Sequence, residues 1–409
     1  MRRISIARVA AMIGALLLPG AAGLSIPASV QARDAEPPPP VVAGYLPAWS
    51  ATPETIAALS ANALTHILYA FGAVTEEGRA ALGDPCKDIG NCDIGQTGGG
   101  NFAALAALKD RHPHVRVLVS VGGWTGSRHF SDAASTPEGR ERLAASMIDL
   151  FMVTHGDVFD GIDIDWEYPV EGGLAENTRR PEDRENFTLL IEEIRRRLDD
   201  LPERGGARPL LTIATTASPW FTRNIDVEAL ARRVDWIGVM TYDYAAGRPV
   251  ASFNSPLFPA TPGDPEAPSI AASVEAYLAA GAPPDRLVLG LPFYGRAYRK
   301  VDPGPSGDGL FQQGEPALSY RGEADTIAYR ALAAADPESQ GYRRHWHAIA
   351  RVPWLYNPER RTWISYDDVD SLRDKAAFAR LRGLRGVMAW ELSGDDGTLV
   401  KAIRDSLID

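Results

Sequence analysis

The chain has 409 residues, of which 45% are hydrophobic and 23% are charged, a composition that allows a large buried core and excludes global disorder. Its length fits two or three domains, or one α/β barrel of about 250 residues that is enlarged by insertions. A formal net charge of -11 argues against nucleic acid or an anionic membrane as a partner, because the long-range field repels phosphate.

The N-terminal residues have the organisation of a secretory signal peptide. A start rich in Arg precedes the apolar run Val9 to Leu18, and residues 30–32 (Val-Gln-Ala) resemble the small-residue pattern of a cleavage site. Pro19 ends the apolar run, which is shorter than the roughly 20 residues of a bilayer span, so cleavage is favoured over a retained anchor. We expect residues 1–32 to be the signal peptide and residues 33–40 a stiff Pro-rich leader of a secreted or periplasmic protein.

Export bears on the two Cys residues. Cys86 and Cys92 lie in a stretch rich in Gly and Asp, and in an oxidising compartment we expect a short disulfide between them. Neither a CxxC spacing nor a nearby His indicates a metal site there. The two His-x-His pairs, at positions 112–114 and 345–347, lack an evident third ligand. We therefore expect no metal and no cofactor.

Short apolar or β-branched runs alternate with helical segments from Val41 to the end of the chain. Continuous apolar runs of this kind are typical of parallel strands that are buried on both faces. Eight runs favour a closed barrel over an open sheet, so we predict an α/β fold, a TIM (β/α)8 barrel, over residues 41–409. The predicted strands are Val41–Leu46, Thr65–Gly72, Val115–Val121, Gly161–Asp165, Leu210–Thr216, Trp236–Thr241, Leu287–Pro292 and Gly386–Trp390.

The interval between the seventh and eighth predicted strands is about three times longer than the roughly thirty residues that a barrel unit needs. Its middle, residues 296–366, contains a helical pattern at Thr326–Ala335 and alternating patterns at Tyr342–Ile349 and Arg361–Tyr366. We expect a small α+β insertion there. Because barrel active sites lie at the C-terminal ends of the strands, such an insertion would form one wall of the site.

The fourth predicted strand carries a row of carboxylates. Its sequence is DGIDIDWEYP. With a period of two, Asp163, Asp165 and Glu167 point to one side of the strand and approach its C-terminal end. Burial of adjacent like charges is costly unless a proton or an ion compensates. Asp160 has the opposite parity and begins the strand, so we expect it to be structural.

Closely spaced carboxylates suit either a hard cation or acid–base catalysis. Calcium loops place their ligands on a flexible turn with Gly and Asn, whereas Ile and Trp flank the carboxylates here. Crowding raises the pKa of at least one carboxyl group, which produces a general acid that works near neutral pH. Acid–base catalysis is therefore favoured, and Glu167, nearest the strand end, is the group that would reach a substrate.

The segment DGIDIDWEYP resembles the DxxDxDxE signature of glycoside hydrolase family 18, the chitinase family. Four further stretches match that family in the expected order, each at or just beyond a predicted strand. They are SVGGW at Ser120–Trp124, MTYD at Met240–Asp243, GLPFYGRAY at Gly290–Tyr298 and GVMAWELSGDD at Gly386–Asp396. The resemblance covers the chain from Val42 onward, and the insertion resembles the α+β domain of subfamily A members.

The resemblance implies retaining, substrate-assisted hydrolysis of β-1,4 linkages in chitin or chito-oligosaccharides. Glu167 would be the general acid and later the base, without a second carboxylate as nucleophile. The 2-acetamido carbonyl of the substrate would attack the anomeric carbon and form an oxazolinium ion. Asp165 would orient the acetamido N–H while Asp163 shares its proton and charge. Tyr242 and Asp243 would hold the acetamido group.

Aromatic residues would complete the site. The nine Trp residues offer flat faces for core packing or for stacking against sugars. By resemblance, Trp390 would form the floor under the reacting sugar, and Trp124, next to Gly123 at a strand end, would stack on the leaving side. The other residues that would line the pocket are Tyr45, Phe71, Met240, Tyr294 and Arg296. Looser candidates for outer subsites are Trp49 and Trp220.

Core packing is the alternative for each of these aromatic residues. For Phe71 and Met240 taken alone it is the favoured interpretation. The Trp residues that we expect to be mainly structural are Trp166, Trp236, Trp346, Trp354 and Trp363.

Other functions remain open on the same barrel. A sugar-binding lectin of this family usually lacks the acid, whereas Asp163, Asp165 and Glu167 are all present. An endo-β-N-acetylglucosaminidase or a peptidoglycan-type hydrolase would share the chemistry, although the large insertion argues against both. A phosphate-binding barrel lacks support because no P-loop or dinucleotide fingerprint is present. We expect a monomer whose partner is chitin or an N-acetylglucosamine oligosaccharide, without nucleic acid or a stable membrane anchor.

Overall fold

Eight parallel strands close into a barrel in the computed structural model, which describes residues 39–90, 92, 99–204, 206–260, 267–317 and 326–408. The strands are β1 (Val41–Pro47), β2 (His66–Val74), β3 (Arg116–Gly122), β4 (Gly161–Asp165), β5 (Leu210–Thr216), β6 (Trp236–Met240), β7 (Leu287–Pro292) and β8 (Gly386–Trp390). Neighbours in the chain pair with one another, and β1 also pairs with β8, which closes the barrel. The predicted TIM barrel is confirmed, and each strand begins and ends within two residues of its predicted bounds.

The predicted signal peptide, residues 1–32, lies outside the described residues, as do residues 33–38 of the leader. A short strand, Ala80–Leu82, adds to β2 in the antiparallel direction.

Helices connect the strands and pack against the barrel. The helix Pro137–Met147 begins at Thr136, whose hydroxyl accepts a hydrogen bond from the N–H of Gly139 (3.1 Å). The helix Asp183–Asp199 buries an apolar face because its apolar residues recur at helical spacing. The α-helices around the barrel are Pro53–Ala57, Pro85–Ile89, Gly100–Arg111, Phe130–Ala134, Pro137–Met147, Asp183–Asp199, Val227–Ala231, Ile270–Ala279, Val369–Leu381 and Leu399–Ile408. Shorter turns are the π-helical Ile148–Thr154 and the 3-10 turns Ala61–Ala63, Pro219–Arg223, Pro284–Arg286 and Leu392–Gly394.

The apolar core has two layers, because alternate residues of each strand point to opposite faces. The larger cluster joins the outer faces of the strands to the helices. A smaller cluster fills the barrel interior with Val41, Ala43, Tyr45, Leu68, Ala70, Leu118, Trp236, Val288 and Met388. A filled interior leaves the C-terminal rim of the barrel as the place for a site.

A second sheet, antiparallel, follows β7 in the chain and precedes β8. Its strands are Tyr294–Arg299, Glu315–Pro316, Thr326–Ala328, Arg343–His347, Val352–Asn357 and Thr362–Ser365. The strand Tyr294–Arg299 pairs with Thr362–Ser365 and also with the two short strands. The helix Tyr329–Ala334 and a 3-10 turn, Pro337–Gln340, complete this α+β insertion.

The insertion differs from its sequence prediction in two places. The predicted helical segment Thr326–Ala335 begins with a strand, Thr326–Ala328, because these residues pair with Tyr294–Arg296, and tertiary pairing outweighs local propensity. Residues 357–360 were predicted as a turn between strands and do separate two strands, but the prediction gives no bounds for the first, Val352–Asn357, whose second residue is a Pro, atypical of a strand interior. The sheet also begins at Tyr294, two residues before the predicted insertion.

Most of the Trp residues expected to be structural are buried. Trp166 stacks on Phe130 with ring centroids 5.3 Å apart, and Trp236 lies in the barrel interior. Trp354 and Trp363 belong to the core of the insertion. The exception is Trp346, whose side chain is only partly buried and lies beside two Arg guanidinium groups.

A disulfide links Cys86 to Cys92, as the sequence predicts, with Cα atoms 4.6 Å apart. Cys86 belongs to the helix Pro85–Ile89, which begins at Asp84, where the side chain accepts a hydrogen bond from the N–H of Lys87 (3.1 Å). The bond therefore fastens Cys92 to the first turn of this helix.

A buried ion pair joins the end of the insertion to the barrel. Asp367 follows the strand Thr362–Ser365, Lys375 lies on the helix Val369–Leu381, and their side chains are 1% and 0% exposed. The hydroxyl of Ser371 donates a further hydrogen bond to Asp367 Oδ1 (2.7 Å). Burial raises the pKa of Asp367 and lowers that of Lys375, while the attraction between the two charges opposes both shifts.

We predict that Lys375→Met lowers the free energy of unfolding by about 3–5 kcal/mol, because Asp367 is left buried without its counter-charge. Urea denaturation followed by Trp fluorescence measures the loss. The double variant Lys375→Met/Asp367→Asn should recover most of it. Lys401→Met removes an exposed pair with Asp405 and should cost at most about 1 kcal/mol. An equal loss in the two single variants would contradict this role of the buried pair.

Candidate active site

Asp163 lies inside the barrel, where three hydroxyl groups fix its carboxyl. Oδ2 accepts hydrogen bonds from Tyr45 Oη (3.0 Å) and Ser120 Oγ (2.7 Å), and Oδ1 accepts one from Thr212 Oγ1 (2.6 Å). Burial raises the pKa of Asp163, and these hydrogen bonds oppose the shift. The donors come from β1, β3 and β5, so the barrel itself sets the orientation of this carboxyl.

Asp165 is the next carboxyl on the same face of β4, and its Oδ1 atom is buried without a hydrogen-bond partner. Burial, followed by the charges of Glu167 and Asp163, raises the pKa of Asp165 well above its ordinary value. An unpartnered buried oxygen costs about 1–3 kcal/mol, so a fold that retains one has a use for it. Asp165 Oδ1 is therefore available to a polar group of a ligand.

The main chain of Glu167 is held on both sides. Its N–H donates to Ser127 Oγ (2.8 Å), and its carbonyl accepts from Asn177 Nδ2 (2.9 Å). The Ser127 hydroxyl donates in turn to the carbonyl oxygens of Gly123 (2.9 Å) and Asp165 (3.2 Å). One buried hydroxyl thus joins the loop after β3 to the end of β4 and fixes where the Glu167 side chain begins.

Glu167 is the carboxyl nearest the rim, and it is only 8% exposed. Burial raises its pKa from about 4.5 to about 7; a hydrogen bond from Tyr168 opposes the rise and the charge of Asp243 adds to it. A carboxyl with this pKa is present as both acid and base near neutral pH. Glu167 can therefore donate a proton and take one back.

Tyr242 and Asp243 follow β6 and meet the insertion. Asp243 Oδ1 accepts hydrogen bonds from Tyr294 Oη and from Arg296 Nε (2.9 Å), and Arg296 Nη2 completes an ion pair (2.7 Å). The rings of Tyr242 and Tyr294 meet edge to face, 6.2 Å apart. Burial, then the charges of Asp165 and Asp243, raises the pKa of Tyr242 well above its ordinary value, so its hydroxyl stays a donor. Since Tyr294 and Arg296 belong to the strand Tyr294–Arg299, the insertion supplies part of the site.

Trp390, at the end of β8, lies among other aromatic rings. Its centroid is 5.4 Å from Tyr45, 6.0 Å from Phe71 and 6.4 Å from Trp49. The rings of Phe71 and Trp390 are nearly parallel, at 22°. Gly123 lies against Phe71: a Cβ there would lie 2.5 Å from the ring, and its φ of +78° also favours glycine. These rings form a cluster, the aromatic floor, which Tyr45 joins to Asp163 through its hydroxyl.

Three large aromatic side chains are half exposed to water. Trp49, Trp124 and Trp220 have 52%, 49% and 48% of their surface accessible. Trp124 follows β3 and meets the edge of Tyr168, and Trp220 lies beyond β5 with an Arg223 guanidinium 5.4 Å from its ring centroid. Exposed Trp residues beyond strand ends favour contact with a ligand over core packing.

Met240 and Asp160 are the two predicted residues that do not belong to the groups described above. Met240 is partly buried and packs against the apolar cluster of the barrel interior, as Phe71 and Trp390 also do. Asp160 lies at the other end of β4, where its Oδ2 accepts from the N–H of Val117 (2.8 Å) and pairs with Lys109 Nζ (3.0 Å). Asp160 therefore holds structure away from the rim. The contacts above join most of the other predicted site residues, whereas the ring contacts of Trp220 are with Arg223 and Phe221.

The donor chemistry does not indicate a metal. Among the residues that the structure describes, no group of three or more His, Cys, Asp or Glu side chains is arranged to hold an ion. The Asp163 carboxyl faces hydroxyl donors, which is a hydrogen-bonding arrangement. His345 stacks on Trp354, and His347 Nδ1 accepts a hydrogen bond from the N–H of Ala350 (2.9 Å). The hydroxyl donors around Asp163 and the raised pKa of Glu167 support proton transfer at this site.

Several residues of the site are missing from the sequence predictions. Ser120 and Thr212 are polar residues inside apolar strands whose parity places them with Asp163, a signal that could have found them. Ser127 and Asn177 lie in loops without a local pattern. Their contacts with Glu167 depend on the folded backbone alone.

Comparison with known proteins defines the family. The profile described as "Glycosyl hydrolases family 18" matches residues 41–395, and the chain belongs to this family. Chitinase A1 of Niallia circulans is 36% identical over 413 residues, which cover 90% of this chain and 58% of that protein. This chain therefore spans less than two thirds of that relative. The predicted family is confirmed.

Solved structures agree with the overall fold. Chitinase ChiA74 from Bacillus thuringiensis has a TM-score of 0.82 at 30% identity, over 90% of this chain and 70% of that one. The Group IV chitinase of Ostrinia furnacalis in complex with allosamidin has a TM-score of 0.79 at 29% identity, over 90% of this chain and 99% of that one.

Because the pKa of Glu167 is raised in the folded state, we predict that ionisation of this carboxyl lowers the free energy of unfolding as pH rises. The unfolded chain releases this proton near pH 4.5, whereas the folded chain holds it to about pH 7, so the folded state binds more protons between these values. The penalty is absent below pH 4.5 and complete above pH 7. Glu167→Gln should therefore be more stable than the wild type by on the order of 1–3 kcal/mol at pH 7.5, and nearly equal at pH 4.5.

Denaturant titrations at the two pH values measure this difference. Glu185→Gln, at an exposed position on the helix Asp183–Asp199, serves as the matched control for the loss of one carboxyl group. A Glu167→Gln difference that is the same at both pH values would contradict the raised pKa.

Proposed function

We propose that this protein is a chitinase that hydrolyses β-1,4 linkages between N-acetylglucosamine units and retains the anomeric configuration. The observation that carries the proposal is the row of three carboxyls, with Asp163 and Asp165 on one face of β4 and Glu167, whose pKa is about 7, two residues beyond its end. Chitinases among the relatives and an allosamidin complex among the similar structures support the choice of substrate.

The bound sugar would rest on the aromatic floor, with its acetamido group between β4 and β6. The Tyr242 hydroxyl, which stays protonated, donates to the acetamido carbonyl. The unpartnered Asp165 Oδ1 accepts from the acetamido N–H. Trp390 lies under the reacting ring and Trp124 stacks on the sugar of the leaving side. These contacts align the acetamido oxygen with the anomeric carbon.

In the first step the acetamido oxygen attacks the anomeric carbon as the glycosidic C–O bond breaks. Glu167 donates its proton to the departing oxygen, and the reacting sugar becomes an oxazolinium ion. Asp165 and Asp163 stabilise the positive charge that develops on this ring. The family is an exception to the scheme with two catalytic carboxylates, since the nucleophile belongs to the substrate.

In the second step water attacks the anomeric carbon from the face that the leaving group vacated. Glu167, now a carboxylate, takes a proton from this water, and the oxazolinium ring opens to restore the acetamido group. Two inversions at one carbon give net retention. Glu167 ends the cycle protonated, which its pKa of about 7 permits near neutral pH.

Two alternatives keep this barrel. An endo-β-N-acetylglucosaminidase or a peptidoglycan-type hydrolase would use the same groups, but the wall that Tyr294 and Arg296 contribute favours a deep cleft for a linear polymer. A sugar-binding lectin does not need a carboxyl with a pKa near 7, so Glu167 favours an enzyme.

We infer from the Arg-rich start and the apolar run Val9 to Leu18 that the protein is exported. Within the described ranges, no helix is both long and apolar enough to cross a bilayer.

We predict that Glu167→Gln still binds chitotetraose but cleaves it at least about a hundredfold more slowly, the loss expected when a general acid is removed. Calorimetry measures binding, and chromatography of the products measures turnover. Glu185→Gln is again the matched control and should keep wild-type turnover. Near-normal cleavage by Glu167→Gln would reject the proposed role of Glu167.

A further inference from the structure

A buried Asn holds the main chain of Asp243. The N–H of Asp243 donates to Asn254 Oδ1 (3.1 Å), and the N–H of Tyr244 donates to the main-chain carbonyl of Asn254 (3.2 Å). Asn254 is fully buried. Asp243 has φ +65°, in the left-handed region that residues other than Gly rarely adopt. Such a conformation persists only where the surrounding structure supports it, and the two hydrogen bonds that Asn254 accepts provide such support.

The insertion fixes Asn254 in turn. The N–H of Asn254 donates to Ser365 Oγ (2.9 Å), on the last strand of the insertion. Ser365 is the direct cross-strand partner of Arg296, and Arg296 binds the Asp243 carboxyl. Asp243, Arg296, Ser365 and Asn254 therefore form a closed ring of contacts. Two neighbouring strands of the insertion therefore hold Asp243. The strand of Arg296 binds its carboxyl, and the strand of Ser365 acts through Asn254 on its main chain.

Only one end of the Asn254 side chain is used. Oδ1 accepts from Asp243, whereas Nδ2 is buried without a hydrogen-bond partner. A buried unpartnered donor costs about 1–3 kcal/mol. The useful group of Asn254 is therefore its acceptor, Oδ1. A residue of the same shape that supplies the same acceptor should serve equally well.

The position of Asp243 bears on the reacting groups. Its charge adds to the rise in the pKa of Glu167 and in that of Tyr242. A displaced Asp243 would change the acidity of Glu167 without any direct contact between Glu167 and Asn254.

We propose that Asn254 is a positioning residue for hydrolysis, which holds Asp243 in its left-handed conformation so that Asp243 faces Glu167 and the acetamido group of the bound sugar. The inference rests on the proposed function of Asp243. Asn254 acts through Asp243 and has no contact of its own with the reacting atoms.

The test compares Asn254→Ala with Asn254→Asp on chitotetraose. Asn254→Ala should lower kcat about 10- to 100-fold with a change in KM below about threefold, because alignment rather than binding is lost. The alkaline limb of its kcat profile should move to lower pH, since the Asp243 charge no longer supports the raised pKa of Glu167. Asn254→Asp should recover kcat to within about threefold, because burial keeps the new carboxyl neutral and its carbonyl oxygen replaces Oδ1.

Asn357→Ala is the matched control. Asn357 is a buried Asn at the end of the insertion strand Val352–Asn357, and its Oδ1 accepts from the N–H of Arg360 (2.9 Å) while its Nδ2 donates to the carbonyl of Gln340 (2.9 Å). Its loss should lower the melting temperature as Asn254→Ala does, but leave kcat and the pH profile unchanged. If Asn254→Ala and Asn357→Ala have the same kcat and pH profile, the inference is overturned.

Crystal structures of the wild type and Asn254→Ala decide the inference independently of turnover. We expect the variant to lose the left-handed φ of Asp243 and to shift its carboxyl relative to Arg296. An unchanged Asp243 would overturn the inference, even if the wild type cleaves chitotetraose. A wild type that cleaves no acetylated oligomer would instead reject the proposed function, while the two structures still report on Asn254.

Discussion

The burial of three carboxyl groups, two on one face of β4 and the third two residues beyond its end, is the constraint on which the site depends. Residues two apart on a strand are less than about 7 Å apart, so three ionised groups would repel one another strongly in a place with little water. The fold treats each group differently. Asp163 receives three hydroxyl donors, Asp165 keeps a buried oxygen without a donor, and Glu167 lies at the rim beside Tyr168. The result is one fixed carboxyl, one oxygen open to a ligand, and one acid–base group.

The barrel and the insertion each position different residues of the site. The barrel supplies rigid strand ends, and Ser127 ties the loop after β3 to Glu167. The insertion supplies Tyr294 and Arg296, which bind the Asp243 carboxyl. The buried pair of Asp367 and Lys375 then anchors the insertion where the chain returns to the barrel. The sheet of the insertion is therefore connected directly to Asp243, a residue that we place in the reaction.

Much of the fold is predictable because parallel strands that are buried on both faces have continuous apolar sequences. Runs such as Leu287–Pro292 and Gly386–Trp390 are apolar throughout, and their observed bounds equal the predicted ones. The carboxylate row was predictable for the same reason, since parity alone places Asp163 and Asp165 on one face.

The parts that escaped prediction depend on contacts between distant segments. Thr326–Ala328 is a strand because another strand pairs with it. Ser127 meets Glu167 across forty residues of chain, and Asn254 meets Ser365 across more than one hundred. No local pattern marks these contacts. The Trp residues were more predictable: Trp166 was expected to be structural and is buried, and Trp124 was expected to stack on a sugar and is half exposed. Trp346 departs from its prediction, since it is only partly buried.

The configuration of the first product tests the central claim most directly. Proton NMR of fully acetylated chitotetraose during cleavage identifies the anomer that appears before mutarotation, and a fully deacetylated oligomer of the same length serves as the control. The substrate-assisted mechanism predicts that the β-anomer appears first and that the deacetylated oligomer is not cleaved, because its nucleophile is missing. Initial release of the α-anomer, or rapid cleavage of the deacetylated oligomer, would contradict it.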